Sequence, residues 1–201
     1  MMVMEETRKY RTIYTILKAA ESVFVEKGFG AASTLEIAKR AEVNKSLIFH
    51  HFKSKEALWK AVKEILIREH MGKNMEDVEF PNTSFQDFII AFCAFRIELY
   101  ENNPSFVKMM SWEKLAESSS DIQGIGLNDT FNLMALIKDF QMRGEVRADY
   151  DPEMIVTFLF TSTSMPFIDR PAFFDKDEKQ KHLYLRMVME SLYQTFSADL
   201  S

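Results

Sequence analysis

Cysteine is nearly missing from this sequence. Cys93 is the only one in 201 residues, so no intrachain disulfide can form. A reducing compartment, the cytoplasm, is the expected setting. Glycine and proline are sparse too, at 6 and 5 residues. That argues against a turn-rich all-β fold and favours long helices. No apolar run reaches the roughly 18 residues that suggest a membrane span. The most apolar window, Ile155 to Ile168, is interrupted by threonine, serine and Pro166, so no membrane partner is expected. The opening MMVMEETRKYRT lacks the apolar core of a signal peptide. Catalytic and metal-binding signatures are missing as well: there is no HExxH, no CxxC, no glycine-rich phosphate loop and no G-x-S-x-G. Cys93 sits in the apolar stretch FIIAFCAFRI, where a thiol is inert core. The expectation is therefore no catalytic residue, no metal and no cofactor.

What remains is ordinary globular composition, 47% apolar and 27% charged. The net charge of −5 conceals an asymmetry. Residues 1–70 carry 13 Lys and Arg against 9 Asp and Glu, while residues 71–201 carry 12 against 21. A basic front and an acidic rear suggest that the front alone meets a polyanion.

The apolar spacing is helical throughout. Ile13, Ile16, Leu17, Ala20 and Phe24 form a stripe on a helix from Tyr10 to Lys27, ended by Gly28. Ser33-Thr34-Leu35-Glu36 has the S-x-x-E form of a capping box and opens a second helix with Leu35, Ala38 and Ala41 on its apolar face. Asn44 caps a third helix, Lys45 to about Phe52, and Ser54 caps a fourth. Further helices are expected over Phe85–Glu101, from Pro104 through Trp112, over Phe131–Arg143, from Asp151-Pro152 to about Ser164, and over Lys176–Phe196. Ser118 to Gly126 reads as a loop. The fold class is all-α: a three-helix helix-turn-helix domain, residues 1–53, followed by a larger helical domain, residues 54–201.

The third helix carries the chemistry. On a wheel, Ile48 and Phe52 share the core side with Val43, while Ser46, Leu47 and His50 face the opposite way and Phe49 and His51 lie on the flanks. The adjacent histidines point apart and cannot share a small ion. A helix-turn-helix puts the N-terminal part of its second helix into the DNA major groove. Lys45, Ser46, Leu47 and His50 are placed for base edges, with Leu47 suited to a thymine methyl. Lys53, Lys55 and Thr34 are placed for phosphates. His51 reads as a packed ring, hydrogen-bonded to backbone or phosphate. The competing reading is a solvated helical hairpin.

Residues 16–62, ILKAAESVFVEKGFGAASTLEIAKRAEVNKSLIFHHFKSKEALWKAV, resemble the tetracycline-repressor (TetR) family of transcriptional regulators. That family has an Ala-rich first helix ending in Gly, a Thr opening helix two, then I-A-x-x-A-G-V-S, Y-x-Y/H-F and S-K-E-x-L. The matching residues here are Thr34, Ile37-Ala38, Ala41-Glu42-Val43-Asn44, Phe49-His50-His51-Phe52 and Ser54-Lys55-Glu56-Ala57-Leu58. Two departures matter. Glu42 stands where the family has a turn glycine, so the turn is reached without a positive φ or with strain. Phe49 stands for a tyrosine and lacks the hydroxyl that would contact a phosphate.

The resemblance implies a homodimer, an all-helical ligand-binding body and a repressor released from a palindromic double-stranded DNA operator by a small effector. The residues add support of their own. The last helix is apolar on more than one face, with Leu183, Leu185, Met187, Val188, Met189, Leu192 and Phe196, and the helix from Asp151 is similar. A second apolar face needs a partner. Fourteen of 18 phenylalanines follow residue 70, which suggests a hydrophobic or aromatic effector. Candidate ligand-binding residues are Phe88, Phe92, Met109, Trp112, Phe131, Met134 and Phe158, with Arg96 and Glu98 as polar anchors. The rival class is an all-helical small-molecule-binding protein or enzyme that has lost DNA binding.

Overall fold

Serine, asparagine and aspartate caps set most helix starts in the computed structural model, which describes residues 2–72, 78–115, 127–169 and 177–198. Among these residues the helices are α1 (Met2–Ala31), α2 (Thr34–Arg40), α3 (Lys45–Phe52), α4 (Lys55–Met71), α5 (Phe85–Glu101), α6 (Pro104–Leu115), α7 (Leu127–Met142), α8 (Pro152–Asp169) and α9 (Glu178–Phe196). The all-α class is observed; the sole β pairing among the described residues is an isolated bridge between Val146 and Ser197. The Ser118–Gly126 loop lies outside the described residues.

Asn44 Oδ1 accepts from the backbone N–H of Leu47 at 2.8 Å, Ser54 Oγ from Ala57 at 3.1 Å and Ser84 Oγ from Asp87 at 3.0 Å. Each satisfies an orphan donor of a first helical turn. Ser33 also caps, but it accepts from Leu35 at 3.2 Å. The reciprocal capping box is not the arrangement found. The Glu36 carboxylate is engaged by Lys27 at 2.7 Å and Arg40 at 3.3 Å, across the surface of α1 and α2. Leu35 corrects another expectation: it is 66% exposed, and the buried face of α2 is Ile37, Ala38 and Ala41.

The chain forms two compact units: Met1–Gly72 with Ser105–Ile125, and Lys73–Pro104 with Gly126–Ser201. They are drawn differently from a division at residue 53, because α4 and α6 pack with the helix-turn-helix. In the first unit, Ile16, Leu17, Ala20, Val23 and Phe24 of α1 are buried with Ile37, Ile48, Leu58, Trp59 and Val62. Gly28 breaks α1 with φ 72 and ψ 176, a region open essentially to glycine alone. Trp112 of α6 lies against that glycine and donates from Nε1 to the Val25 carbonyl at 3.1 Å. A buried ion pair ties α4 to α6. Lys63 Nζ donates to Glu113 Oε1, and Trp59 Nε1 donates to the same oxygen at 2.6 Å.

In the second unit, Phe85, Phe88, Phe92, Leu133, Ile137, Phe140, Ile155, Leu159, Val188 and Leu192 build one core shared by α5, α7, α8 and α9. Glu145 Oε2 accepts from the Phe85 N–H at 2.7 Å and so covers the start of α5. α8 runs through Pro166 to Asp169 instead of stopping near Ser164. Proline removes the N–H that would bond the carbonyl four residues back. That carbonyl, of Ser162, accepts from the Tyr184 hydroxyl at 3.3 Å, so continuing the helix leaves no orphan there.

The α2–α3 turn contains the strain anticipated at Glu42, whose φ is 55. A left-handed non-glycine residue costs about 1–2 kcal/mol, and glycine returns part of that as chain entropy. Glu42→Gly is expected to raise the unfolding free energy by roughly 0.5–1 kcal/mol. Guanidinium denaturation followed by tryptophan fluorescence checks it; a lower midpoint would mean that the turn carries no strain.

Candidate functional site

α3 presents its residues much as the wheel requires. Ile48 is buried on the core side. Lys45, Ser46 and His50 are exposed, Leu47 and His51 are half-buried, and Phe49 is 38% exposed. The Ser46 hydroxyl donates to Asn44 Oδ1 at 2.7 Å and keeps its lone pairs as acceptors. Lys45 Nζ lies over the Phe49 ring, 5.6 Å from its centroid. Phe49 thus orients the lysine at the helix start, a use that needs no hydroxyl. Lys53 Nζ donates to the His50 carbonyl at 3.2 Å, closing the C-terminal end of α3. Thr34 is half-buried at the start of α2.

The two histidine rings meet edge to face at 5.1 Å. His51 is held below the ordinary histidine range, first by burial and then by the charges of His50, Lys9 and Lys53. It is therefore neutral at pH 7. The same effect brings in a residue that the sequence reading missed: Lys9, exposed on α1, adds its charge to this surface. Nothing local could have found it, since 42 positions separate it from His51.

Lys55 does not join that surface. Its ammonium donates to the carbonyls of Phe29 at 2.6 Å and Ala32 at 3.0 Å and sits over the Phe29 ring at 4.3 Å. It caps the end of α1, and burial pushes its pKa down. Arg40 is likewise occupied, by Ser22 at 2.7 Å and Glu26 at 2.9 Å. Among the described residues, no carboxylate pairs with Lys45 or Lys53. Nor do any three His, Cys, Asp or Glu side chains come together as a metal site among them. Local chemistry thus leaves an exposed face of donors and positive charge on the second helix of a helix-turn-helix.

The candidate ligand residues divide between the units. Met109 is fully buried in the first unit, where Trp112 is spent on Val25 and Gly28. Phe88 and Phe92 are core of the second unit, and Met134 packs against that core. Phe158 is 47% exposed. The side chain of Phe131 lies outside those described. Glu98 is exposed, but Arg96 is buried. Within the second unit, a cavity of ≈ 40 Å³ is lined by Phe80, Phe92, Phe95, Phe160, Leu133, Asn132 and Arg96. Phe80, Phe95 and Phe160 were not among the candidates, because aromatic spacing alone does not separate cavity wall from core. Cys93, nearby on α5, has its thiol pushed up to about 12 by burial, so it is not a nucleophile.

α8 and α9 pack together yet leave apolar side chains outside: Met154 is 57% exposed, Phe158 47%, Leu183 49% and Met187 53%. No helix among the described residues is long and apolar enough to cross a membrane.

Comparison with known proteins agrees with this geometry. Residues 16–62 match the family model for bacterial regulatory proteins of the tetR family. The chain is 28% identical over 147 residues to the HTH-type transcriptional repressor NicS of Pseudomonas putida, covering 69% of this chain and 68% of that protein. It is 25% identical over 168 residues to the HTH-type transcriptional regulator UidR of Escherichia coli, covering 81% and 83%. Among solved structures, the fold is shared with the transcriptional regulator FadR of Bacillus subtilis in complex with stearoyl-CoA. That match has TM-score 0.67 and 17% identity and covers 90% and 97% of the two chains. A TetR family regulator from Pseudomonas syringae pv. tomato gives TM-score 0.67 at 19% identity, covering 92% and 96%.

Proposed function

We propose that this chain, whose residues 16–62 match the family model for bacterial regulatory proteins of the tetR family and which is similar to the repressor NicS, is a ligand-responsive repressor of that family. It acts as a homodimer on a palindromic double-stranded operator and is released by a small hydrophobic effector. The observation that carries the DNA reading is the exposed polar face of α3, with Lys45, Ser46 and His50 exposed and Lys9 and Lys53 adding charge beside it. Thr34, Lys45, Ser46, Leu47, Phe49, His50, His51 and Lys53 form the contact set, and Lys55 supports it from behind. Residues 1–53 do the reading, and residues 54–201 bind effector and dimerise.

The exposed apolar face of α8 and α9 supports dimerisation as a four-helix interface. Two α3 helices then lie about one DNA turn, or a multiple of it, apart. Effector binding moves α4 and changes that separation, and linkage makes the antagonism mutual. The effector must bind the DNA-free shape better, or nothing shifts. NicS, a repressor, supports the sense of regulation. The FadR of Bacillus subtilis, which has this fold, was solved in complex with stearoyl-CoA, and that supports an effector with an apolar part.

The test is selection of bound duplexes from a random library, followed by binding to the recovered site. A palindrome is expected, with affinity falling steeply as salt rises. Lys45→Ala and His50→Ala should each weaken binding by about 1–3 kcal/mol, roughly 5- to 150-fold. Unchanged affinity in both variants would remove recognition from α3 and leave the small-molecule-binding alternative.

A further inference from the structure

We propose that the adjacent histidines of α3, His50 and His51, take up a proton when α3 meets DNA, so that operator affinity rises as pH falls through neutrality. This rests on the DNA reading above and deepens it. The two rings meet edge to face at 5.1 Å, close enough for a charge on one to oppose a charge on the other. Lys53 closes the same end of α3, its ammonium on the His50 carbonyl at 3.2 Å. Lys9 faces His51 from α1. Lysine and protonatable imidazole thus share one patch. Acids on the neighbouring elements are turned elsewhere. Glu36 of α2 is held by Lys27 and Arg40. Glu56 of α4 turns to its own N–H and to Ser54. Glu42 precedes α3, about two helical turns from His50. Among the described side chains, no carboxylate pairs with His50, His51, Lys9 or Lys53.

Repulsion inside the patch sets the sign. In the free protein a proton on one ring is opposed by a proton on the other and by both lysines. Burial adds to this at His51. Rings this close titrate as a pair, so the proton belongs to the patch and not to one nitrogen. A phosphate backbone reverses the balance: it brings negative charge to a face without carboxylates and favours the protonated form. The pair's pKa is then higher on DNA than off it. Affinity climbs as pH falls through the DNA-bound pKa and levels off below the free one. Lysine and arginine titrate far above this range and phosphodiesters far below it, so histidine is the side chain that responds. The other two histidines, His70 and His182, lie on α4 and α9. A repressor built this way holds its operator more tightly in acid with no second ligand.

The test is binding of the full chain to two duplex probes, the selected site and the unselected random pool, across the neutral range at fixed salt. Affinity for the selected site is expected to be roughly 3- to 10-fold higher at about pH 6 than at about pH 8. Calorimetry near neutrality, in two buffers of different ionisation enthalpy, should show net proton uptake on binding. Both measurements use the wild-type chain and need no variant to fold. The double variant His50→Gln with His51→Gln should lose the pH dependence and the uptake, while His182→Gln should keep both. Lys9→Gln removes one repelling charge, so the affinity curve should slide to higher pH. A lysine that only gripped phosphate would lower affinity and leave the curve in place, which overturns the patch. Binding that is flat with pH, proton release, or uptake that survives in the double variant overturns the proposal and leaves the DNA reading standing. No binding to either probe at any pH overturns both.

Discussion

Gly28→Ala is expected to destabilise the first unit by about 2–6 kcal/mol. Two costs coincide there. The backbone sits at φ 72 and ψ 176, a conformation that costs a residue with a Cβ on the order of 1–3 kcal/mol. A Cβ at that position would also stand 2.7 Å from Cδ2 of Trp112, and overpacking of that kind adds about 1–3 kcal/mol. The indole cannot simply swing away, because its Nε1 holds the Val25 carbonyl. The chain has two tryptophans, Trp59 and Trp112, and both lie in the first unit. Fluorescence-monitored denaturation therefore reports this unit alone. Gly30 is the control. A Cβ there meets nothing within 4 Å, so Gly30→Ala should be neutral or gain up to about 1 kcal/mol. Equal midpoints for the two variants would show that Trp112 does not press on Gly28.

Removing the carboxylate of Glu113 is the second large effect. Lys63 and Glu113 have side chains only 2% and 9% exposed. Breaking a buried pair by deleting one partner costs about 3–5 kcal/mol, because the survivor stays charged and dry. Glu113→Leu should lose that much, and it also orphans the Trp59 N–H. The double variant Lys63→Met with Glu113→Gln should recover most of the loss. It removes the buried charge and keeps an oxygen for Trp59. The pH dependence has a definite sign. Burial already lowers the Lys63 pKa, opposed by the Glu113 charge. Without Glu113 it falls further, so the unfolded chain binds the proton more tightly than the fold does. The deficit of Glu113→Leu is then full below the lowered folded-state pKa and shrinks as pH climbs toward the ordinary lysine value. A deficit that grew with pH, or a double variant as weak as the single one, would show that the pair is not an isolated buried charge couple.

The sequence was legible where the signal is local. Asn44, Ser54 and Pro152 mark helix starts because a capping oxygen or a missing N–H acts within three residues. The α3 wheel was legible for the same reason: Ile48 goes in and His50 goes out on geometry alone. What could not be read is contact between distant segments. The spacing of Leu35 points it inward, yet the hairpin buries Ile37 and Ala38. Lys55 looked like a phosphate ligand until the end of α1 supplied carbonyls 26 and 23 residues away. Pro166 looked like a stop because its remedy, the Tyr184 hydroxyl, comes from another helix. Trp112 looked like a cavity wall because nothing in its own helix announces Gly28. Each miss is a residue with a sound local reading and a stronger partner elsewhere in the chain.

The first unit is not contiguous in its coding order, since α6 is translated only after α5 of the other unit. A single crossover just after Gly72, whether natural or made at the bench, would therefore carry α1 to α4 into a new body and leave α6 behind. Trp59 and Lys63 would then lose their carboxylate, and Gly28 its indole. Exchange of this reading head between regulators needs two further junctions, one near Pro104 and one beyond Leu115, or a recipient whose own sixth helix brings an acid and a large ring to the same two places. The Gly28–Trp112 and Lys63–Glu113 pairs should accordingly be inherited together.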